Sequence, residues 1–189
     1  MHVIAPCMAA SEIAAGLCNR FGVITGRSKW NCQMRQTLDS YGHGSRFTGF
    51  YDVNLGVDEF QVDPGRTGKL LLEAARRAVT DDHAEALILG CTMETGFHKK
   101  IEDALGVPVI DPVIAAFLRA EYAARLKVGC GLLPSRKWSC EAPPVQALDC
   151  SVIFRGRRSV GVFQEMEPKA RCGAGQCWWC GFYAAILGR

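Results

Sequence analysis

The stretch that decides the fold is residues 86–110, ALILGCTMETGFHKKIEDALGVPVI. Residues 86–89 form a short apolar run, which predicts a buried strand, and residues 107–110 form a second one. Between them, residues 97–105 have the spacing of a short helix, which follows a turn at Gly90-Cys91-Thr92. A strand, a helix and another strand in this order predict a βαβ unit, whose two strands run parallel.

The same alternation extends outward from this unit through the first 126 residues. Asp111 and Pro112 open a further helix as its N-cap and its first-turn proline. Strands are predicted at 3–4, 21–24 and 49–55, and helices at 8–19, 29–41, 67–80 and 113–126. The pattern predicts an α/β fold with an open, mainly parallel sheet and flanking helices.

Composition narrows the class of protein. The 189 residues are 49% apolar and 22% charged, as in ordinary globular proteins, which excludes a disordered or collagen-like chain. A net charge of +3 is too small to predict a nucleic-acid partner. The sequence has no membrane-length apolar run, and Ser11 and Glu12 interrupt its apolar start. Neither a membrane span nor a signal peptide is therefore expected.

Ten cysteines are scattered along the chain, unlike the framework of a small disulfide-rich protein. We therefore expect a reducing, cytoplasmic location and mostly free thiols. Cys177 and Cys180 do have the spacing of zinc and redox sites. A metal or redox module is an alternative that bound zinc or a disulfide between these two would support, but the prediction is that no metal is bound.

The character of the chain changes near residue 148. Residues 149–189 contain six basic and three acidic side chains, so the positive excess of the whole chain lies there. This segment is rich in Cys, Trp and Arg and lacks the periodicity of the rest, as a shifted reading frame would produce. We therefore predict an α/β domain over residues 1–147 and an irregular tail of doubtful origin over residues 148–189.

Two strand-end loops contain polar groups, at Thr25-Gly26 and at Gly90-Cys91-Thr92. In open α/β sheets, ligands bind at the carboxyl ends of the strands. A thiol between a strand end and a helix N-terminus faces free amides, which lower a cysteine pKa and predict a Cys91 thiolate at neutral pH. The same amides and the Thr92 hydroxyl are suited to a carboxylate or imide-like oxygen. The alternative is that Cys91 is a small buried hydrophobic residue.

These motifs resemble the second half of the aspartate/glutamate/hydantoin racemase superfamily. The resemblance is carried by ILGCT at 88–92, ALGVPVIDPV at 104–113 and the alanines at 115–116. FGVITG at 21–26 is similar to the strand that opens this half, and PSRK at 134–137 with EAPP at 141–144 is similar to the end of some members. The resemblance spans roughly residues 3–146. It implies one lobe, plus part of the other, of a two-lobed pseudo-symmetric fold. It also implies that the N-terminal half of that fold is missing here.

The resemblance implies racemisation without a cofactor at a carbon next to a carbonyl. In that family one cysteine thiolate removes the α-proton while an opposite thiol delivers another. Cys91 matches the cysteine of the second half, Thr92 the adjoining substrate-binding position, and Thr25 and Gly90 further contacts. Cys7 resembles a position after the first active-site loop and not the partner cysteine, which implies that this chain alone is a poor racemase or inactive.

Three further residues have two interpretations each. Glu94 either orients a substrate amine or is a solvated carboxylate in the first turn of the helix. His98 either assists proton transfer or is an exposed helix residue, and Asp111 is either an N-cap alone or also part of a nearby site.

The prediction is a racemase of amino acids or amino-acid derivatives, with a small-molecule substrate and no cofactor. Two alternatives remain, a noncatalytic domain that binds a carboxylate and a related decarboxylase that needs a single cysteine. Neither nucleic acid nor a membrane is expected as a partner, and a homo-oligomer is left open.

Overall fold

A computed structural model of the chain describes residues 3–138 and Glu141. Its strands form a four-stranded parallel sheet with the order β2-β1-β3-β4, which confirms the predicted α/β fold. The strands are β1 Phe21–Thr25, β2 Phe47–Asp52, β3 Ala86–Leu89 and β4 Val109–Ile110. The α-helices are α1 Pro6–Leu17, α2 Asn31–Ser40, α3 Pro64–Thr80, α4 His98–Leu105 and α5 Pro112–Cys130.

Both faces of the sheet are covered, which explains why β1 and β3 are buried throughout. Side chains alternate along a strand, so Val23 and Ile88 face one side while Ile24 and Leu89 face the other. The first side packs against α1, α2 and α5, and the second against α3 and α4. Because helices cover both sides of the sheet, the polar residues that end the strands can come together only at the carboxyl edge of the sheet.

Capping residues set where the two longest helices begin. Asp111 accepts hydrogen bonds from the backbone N–H groups of Val113 (2.9 Å) and Ile114 (3.4 Å), which confirms it as the N-cap of α5. Asp63 likewise accepts one from Arg66 N–H (3.0 Å), so α3 begins upstream of its apolar face.

Several predicted boundaries were wrong. Residues 3–4 are not a strand, and Val3 is 76% exposed just before α1 begins. The predicted helix at 29–41 starts as a 3₁₀ turn, Ser28–Trp30, and the strand predicted at 107–110 is only Val109–Ile110. Pro108 has no N–H to donate to a neighbouring strand, although its carbonyl accepts from Leu87 N–H.

The predicted domain boundary at residue 147 and the tail, with its cysteines, lie outside the described residues. Among the described helices, none has the length and hydropathy needed to cross a bilayer.

Candidate active site

A cavity of about 640 Å³ opens at the carboxyl edge of the sheet. Its walls include four predicted site residues, Thr25, Gly90, Cys91 and Thr92. Glu94 and Asp111 are buried, and neither they nor His98 line the cavity. The structure thus brings both strand-end loops to one cavity, as parallel strands predict.

Gly90 has a structural role that the sequence did not show. A Cβ atom at this position would lie 2.5 Å from the carbonyl oxygen of Ile24, so only glycine allows β1 and β3 to approach so closely here. Its N–H donates to that same carbonyl (2.7 Å). The amide predicted to bind substrate is therefore engaged within the sheet.

Cys91 is half-buried at the end of β3, but it does not sit at the start of a long helix. A 3₁₀ turn, Thr92–Glu94, follows it, and α4 begins only at His98. Burial raises the pKa of the Cys91 thiol, and the nearby Glu94 carboxyl raises it further, while the Met93 N–H lowers it. The structure opposes the predicted thiolate, because burial favours the neutral form of the Cys91 thiol.

Glu94 is fully buried, so its prediction as a solvated carboxylate was wrong. Its Oε2 accepts a long hydrogen bond from Cys91 N–H (3.4 Å), and its Oε1 has no hydrogen-bond partner among the described residues. Burial raises the pKa of this carboxyl to about 8, with a smaller contribution from the nearby Asp111. Glu94 does not line the cavity, so in this conformation it does not reach a substrate amine.

Asp111 ties the loop after Cys91 to the start of α5. While Oδ1 caps the helix, Oδ2 accepts hydrogen bonds from the Thr95 hydroxyl (2.8 Å) and Gly96 N–H (3.1 Å). His98 Nδ1 lies 3.4 Å from the same oxygen. Asp111, with a side chain that is 1% exposed, holds the loop, and neither Asp111 nor His98 forms a wall of the cavity.

Thr25 belongs to a buried polar cluster that sequence reasoning missed. Its hydroxyl donates to the carboxylate of Asp52, which ends β2 beside it. Asn31, the first residue of α2, donates its amide to the same carboxylate (3.1 Å). The sequence placed Asp52 inside a strand predicted at 49–55, whereas β2 ends at Asp52, so the misplaced strand boundary hid this residue.

Cys7 lines the same cavity as Cys91, although its sequence context argued against a role. It is the second residue of α1 and packs against the apolar cluster on the α1 side of the sheet. Cys91 packs against the cluster on the α3 side. The two thiols thus approach the cavity from opposite faces of the sheet, and burial raises the pKa of Cys7 as well.

The rim of the cavity contains basic and aromatic side chains that sequence reasoning also missed. Lys29 Nζ lies 4.8 Å from the centre of the Trp30 ring, and both residues line the cavity. Arg27 forms an ion pair with Glu59 (3.3 Å). No cluster of three His, Cys, Asp or Glu side chains suited to a metal ion occurs within the described part of the chain.

Comparisons with known sequences place this architecture among racemases. The profile of the family described as Asp/Glu/Hydantoin racemase matches residues 1–120. A hydantoin racemase of Pseudomonas sp. (strain NS671) is 34% identical over 137 residues, which is 72% of this chain and 55% of the relative. A hydantoin racemase of Paenarthrobacter aurescens is 33% identical over 66% of this chain and 52% of its own length. The chain spans about half the length of these curated relatives.

Solved structures agree. The crystal structure of an allantoin racemase from Pseudomonas fluorescens superposes with a TM-score of 0.68 and 26% identity, over 82% of this chain and 60% of that protein. An allantoin racemase from Klebsiella pneumoniae gives a TM-score of 0.69 and 27% identity, over 75% of this chain and 56% of that protein.

Proposed function

The chain belongs to the Asp/Glu/hydantoin racemase family, and we propose that it inverts a carbon next to a carbonyl group, with Cys91 as an acid and base. The names of its relatives favour hydantoin-type ring substrates over free amino acids. The observation that carries the proposal is the position of Cys91, a half-buried thiol at the end of β3 on the wall of a cavity large enough for a small molecule.

The proposed chemistry is two proton transfers. A thiolate removes the proton from the stereocentre, and the electron pair left behind is delocalised into the adjacent carbonyl group as an enolate. A thiol on the other face then protonates the carbon and becomes a thiolate, which inverts the centre. Because burial raises the pKa of Cys91, the thiol form suits the donor role, whereas acting as the base requires that Cys91 first lose its proton.

Inversion needs a second proton-transfer group, and we propose Cys7 for that role. It lines the same cavity and reaches it from the opposite face of the sheet. A substrate between the two thiols would have one on each side of its stereocentre. A donor outside the described residues is the competing explanation, and the experiment below separates the two.

Deuterium uptake at the stereocentre in deuterated water, measured together with optical rotation, tests these assignments. With a 5-substituted hydantoin or allantoin as substrate, Cys91→Ser should reduce uptake by at least about 100-fold, because a positioned acid or base contributes that much. Cys7→Ser should abolish inversion while leaving some exchange on one face. Cys32→Ser, at an exposed cysteine, is the matched control and should change neither.

Uptake that Cys91→Ser leaves unchanged removes Cys91 from the mechanism. Inversion that survives Cys7→Ser places the second donor elsewhere.

The carboxylate-binding alternative loses part of its support, because the Gly90 N–H is already engaged with Ile24. A single-cysteine decarboxylase would release carbon dioxide from a carboxylated substrate, and it would not need Cys7. Measuring gas release beside isotope exchange distinguishes it from a racemase.

A further inference from the structure

The loop that contains Cys91 also contains a buried carboxyl group, and the fold does not explain its burial. Glu94 is 0% exposed, and one of its two oxygens has no hydrogen-bond partner among the described residues. Such a group costs free energy, and buried polar atoms in native proteins nearly always have partners. Its carboxylate accepts a hydrogen bond from Cys91 N–H that is long, at 3.4 Å.

We propose that Glu94 is a positioning residue for Cys91, a buried carboxyl whose charge state governs how readily the Cys91 thiol releases its proton. The inference rests on the proposed role of Cys91 in proton transfer. Because Glu94 does not line the cavity, it acts through the cysteine and does not touch the substrate.

The charges around Glu94 favour a neutral carboxyl. Asp111 faces it from the start of α5, and Cys91 faces it from its own loop. The N–H groups of Gly90 and Cys91 partly offset the negative charge. His98 faces Asp111, and its Nδ1 atom lies 3.4 Å from the Asp111 carboxylate. Two carboxylates and a thiolate together in a buried site repel one another strongly, so Glu94 and Cys91 resist being ionised at the same time.

The pair therefore loses its protons as a coupled unit. The pKa of Glu94, raised to about 8, lies in the range where thiols begin to ionise. At neutral pH the carboxyl is uncharged, so only burial opposes the loss of the Cys91 proton. As the pH rises, ionised Glu94 opposes it as well, so the thiolate population grows less steeply with pH than it would for an isolated thiol.

Alkylation of Cys91 by iodoacetamide tests this coupling without any substrate. The rate at Cys91 is followed by peptide mass spectrometry from about pH 6 to about pH 10, because only the thiolate reacts. In wild type the logarithm of the rate should rise with pH with a slope of one below about pH 8, where Glu94 is uncharged, and with a slope below one from about pH 8 to about pH 9. In Glu94→Gln the slope should return to one, and the rate at about pH 9 should rise about threefold or more.

Glutamine keeps an acceptor for Cys91 N–H and removes the charge. Glu73→Gln, at an exposed glutamate on α3, is the matched control and should follow wild type. An unchanged or slower rate in Glu94→Gln overturns the proposal. If that variant does not fold, the wild-type curve decides, because a slope that stays at one from about pH 8 to about pH 9 contradicts coupling. A shift in alkylation together with unaltered isotope exchange in Cys91→Ser would refute the proposed function and leave the coupling intact.

Discussion

Two polar clusters lie at the carboxyl edge of the sheet, and they differ in how well their carboxylates are satisfied. In the Thr25 cluster, Asp52 accepts hydrogen bonds from a hydroxyl and from the Asn31 amide. In the Cys91 cluster, Glu94 is more deeply buried yet keeps one oxygen without a partner among the described residues. In both clusters the polar residues lie at or just after the end of a strand. The satisfied cluster holds two strands and a helix together, whereas the unsatisfied carboxyl keeps a proton that it can lose.

The largest expected effect on stability comes from the unsatisfied carboxyl and depends on pH. The folded-state pKa of Glu94 is about 8, above its ordinary 4.5. As the pH rises between these values, the unfolded chain ionises while the folded chain keeps its proton. Wild type should therefore lose stability across this window relative to Glu94→Gln, by up to about 5 kcal/mol. Urea unfolding at a series of pH values measures it.

Glu73→Gln should show the same pH dependence as wild type. Parallel curves for wild type and Glu94→Gln would mean that the carboxyl is not held protonated, and the contrast between the two clusters would disappear.

The second-largest effect concerns Gly90. This residue lies where β1, which ends at Thr25, approaches the end of β3, which precedes Cys91. Gly90→Ala places a methyl group 2.5 Å from a backbone carbonyl and should cost about 3 kcal/mol, measured by urea unfolding at pH 7. Gly129→Ala, in α5 with no other group within 4 Å of the new methyl, should be neutral or stabilise by up to about 1 kcal/mol. Equal effects at the two positions would contradict the close approach of β1 and β3.

The smallest effect tests the satisfied cluster. Asp52→Ala removes the carboxylate that accepts from the Asn31 amide and leaves the buried Thr25 hydroxyl with Asn31 Oδ1 (3.2 Å) alone, so it should cost about 2 kcal/mol in urea unfolding. Asp39→Ala, which breaks an exposed ion pair with Arg35, should cost about 0.5 kcal/mol or less. A loss at Asp52 no greater than that at Asp39 would show that the cluster contributes little to holding the edge together.

Local patterns predicted much of the architecture. Residues 86–89 were placed as a strand with the bounds that the structure has, and Asp111 was identified as an N-cap. Weaker segments shifted by a few residues, as at β2, because partners distant in the chain decide where pairing stops. The strand expected at 3–4 does not form, since Pro6 begins α1 immediately afterwards.

The site was predicted less completely. Thr25, Cys91 and Thr92 do line one cavity, but Cys7 joins them only because α1 brings its first turn to the same edge. Asn31 entered the Thr25 cluster in the same way, at the start of α2. Nothing in the spacing of these residues along the chain predicts that they lie close together in the folded protein.

By itself, the sequence determined the order of strands and helices, the parallel sheet and the loops that end at its carboxyl edge, because these follow from local periodicity and capping. The protonation states were decided by tertiary structure. Cys91 was expected to be a thiolate and Glu94 solvated, yet packing buries both groups. Removal from water disfavours the charged form of an acid, and how much water each group loses depends on contacts that only the folded chain creates.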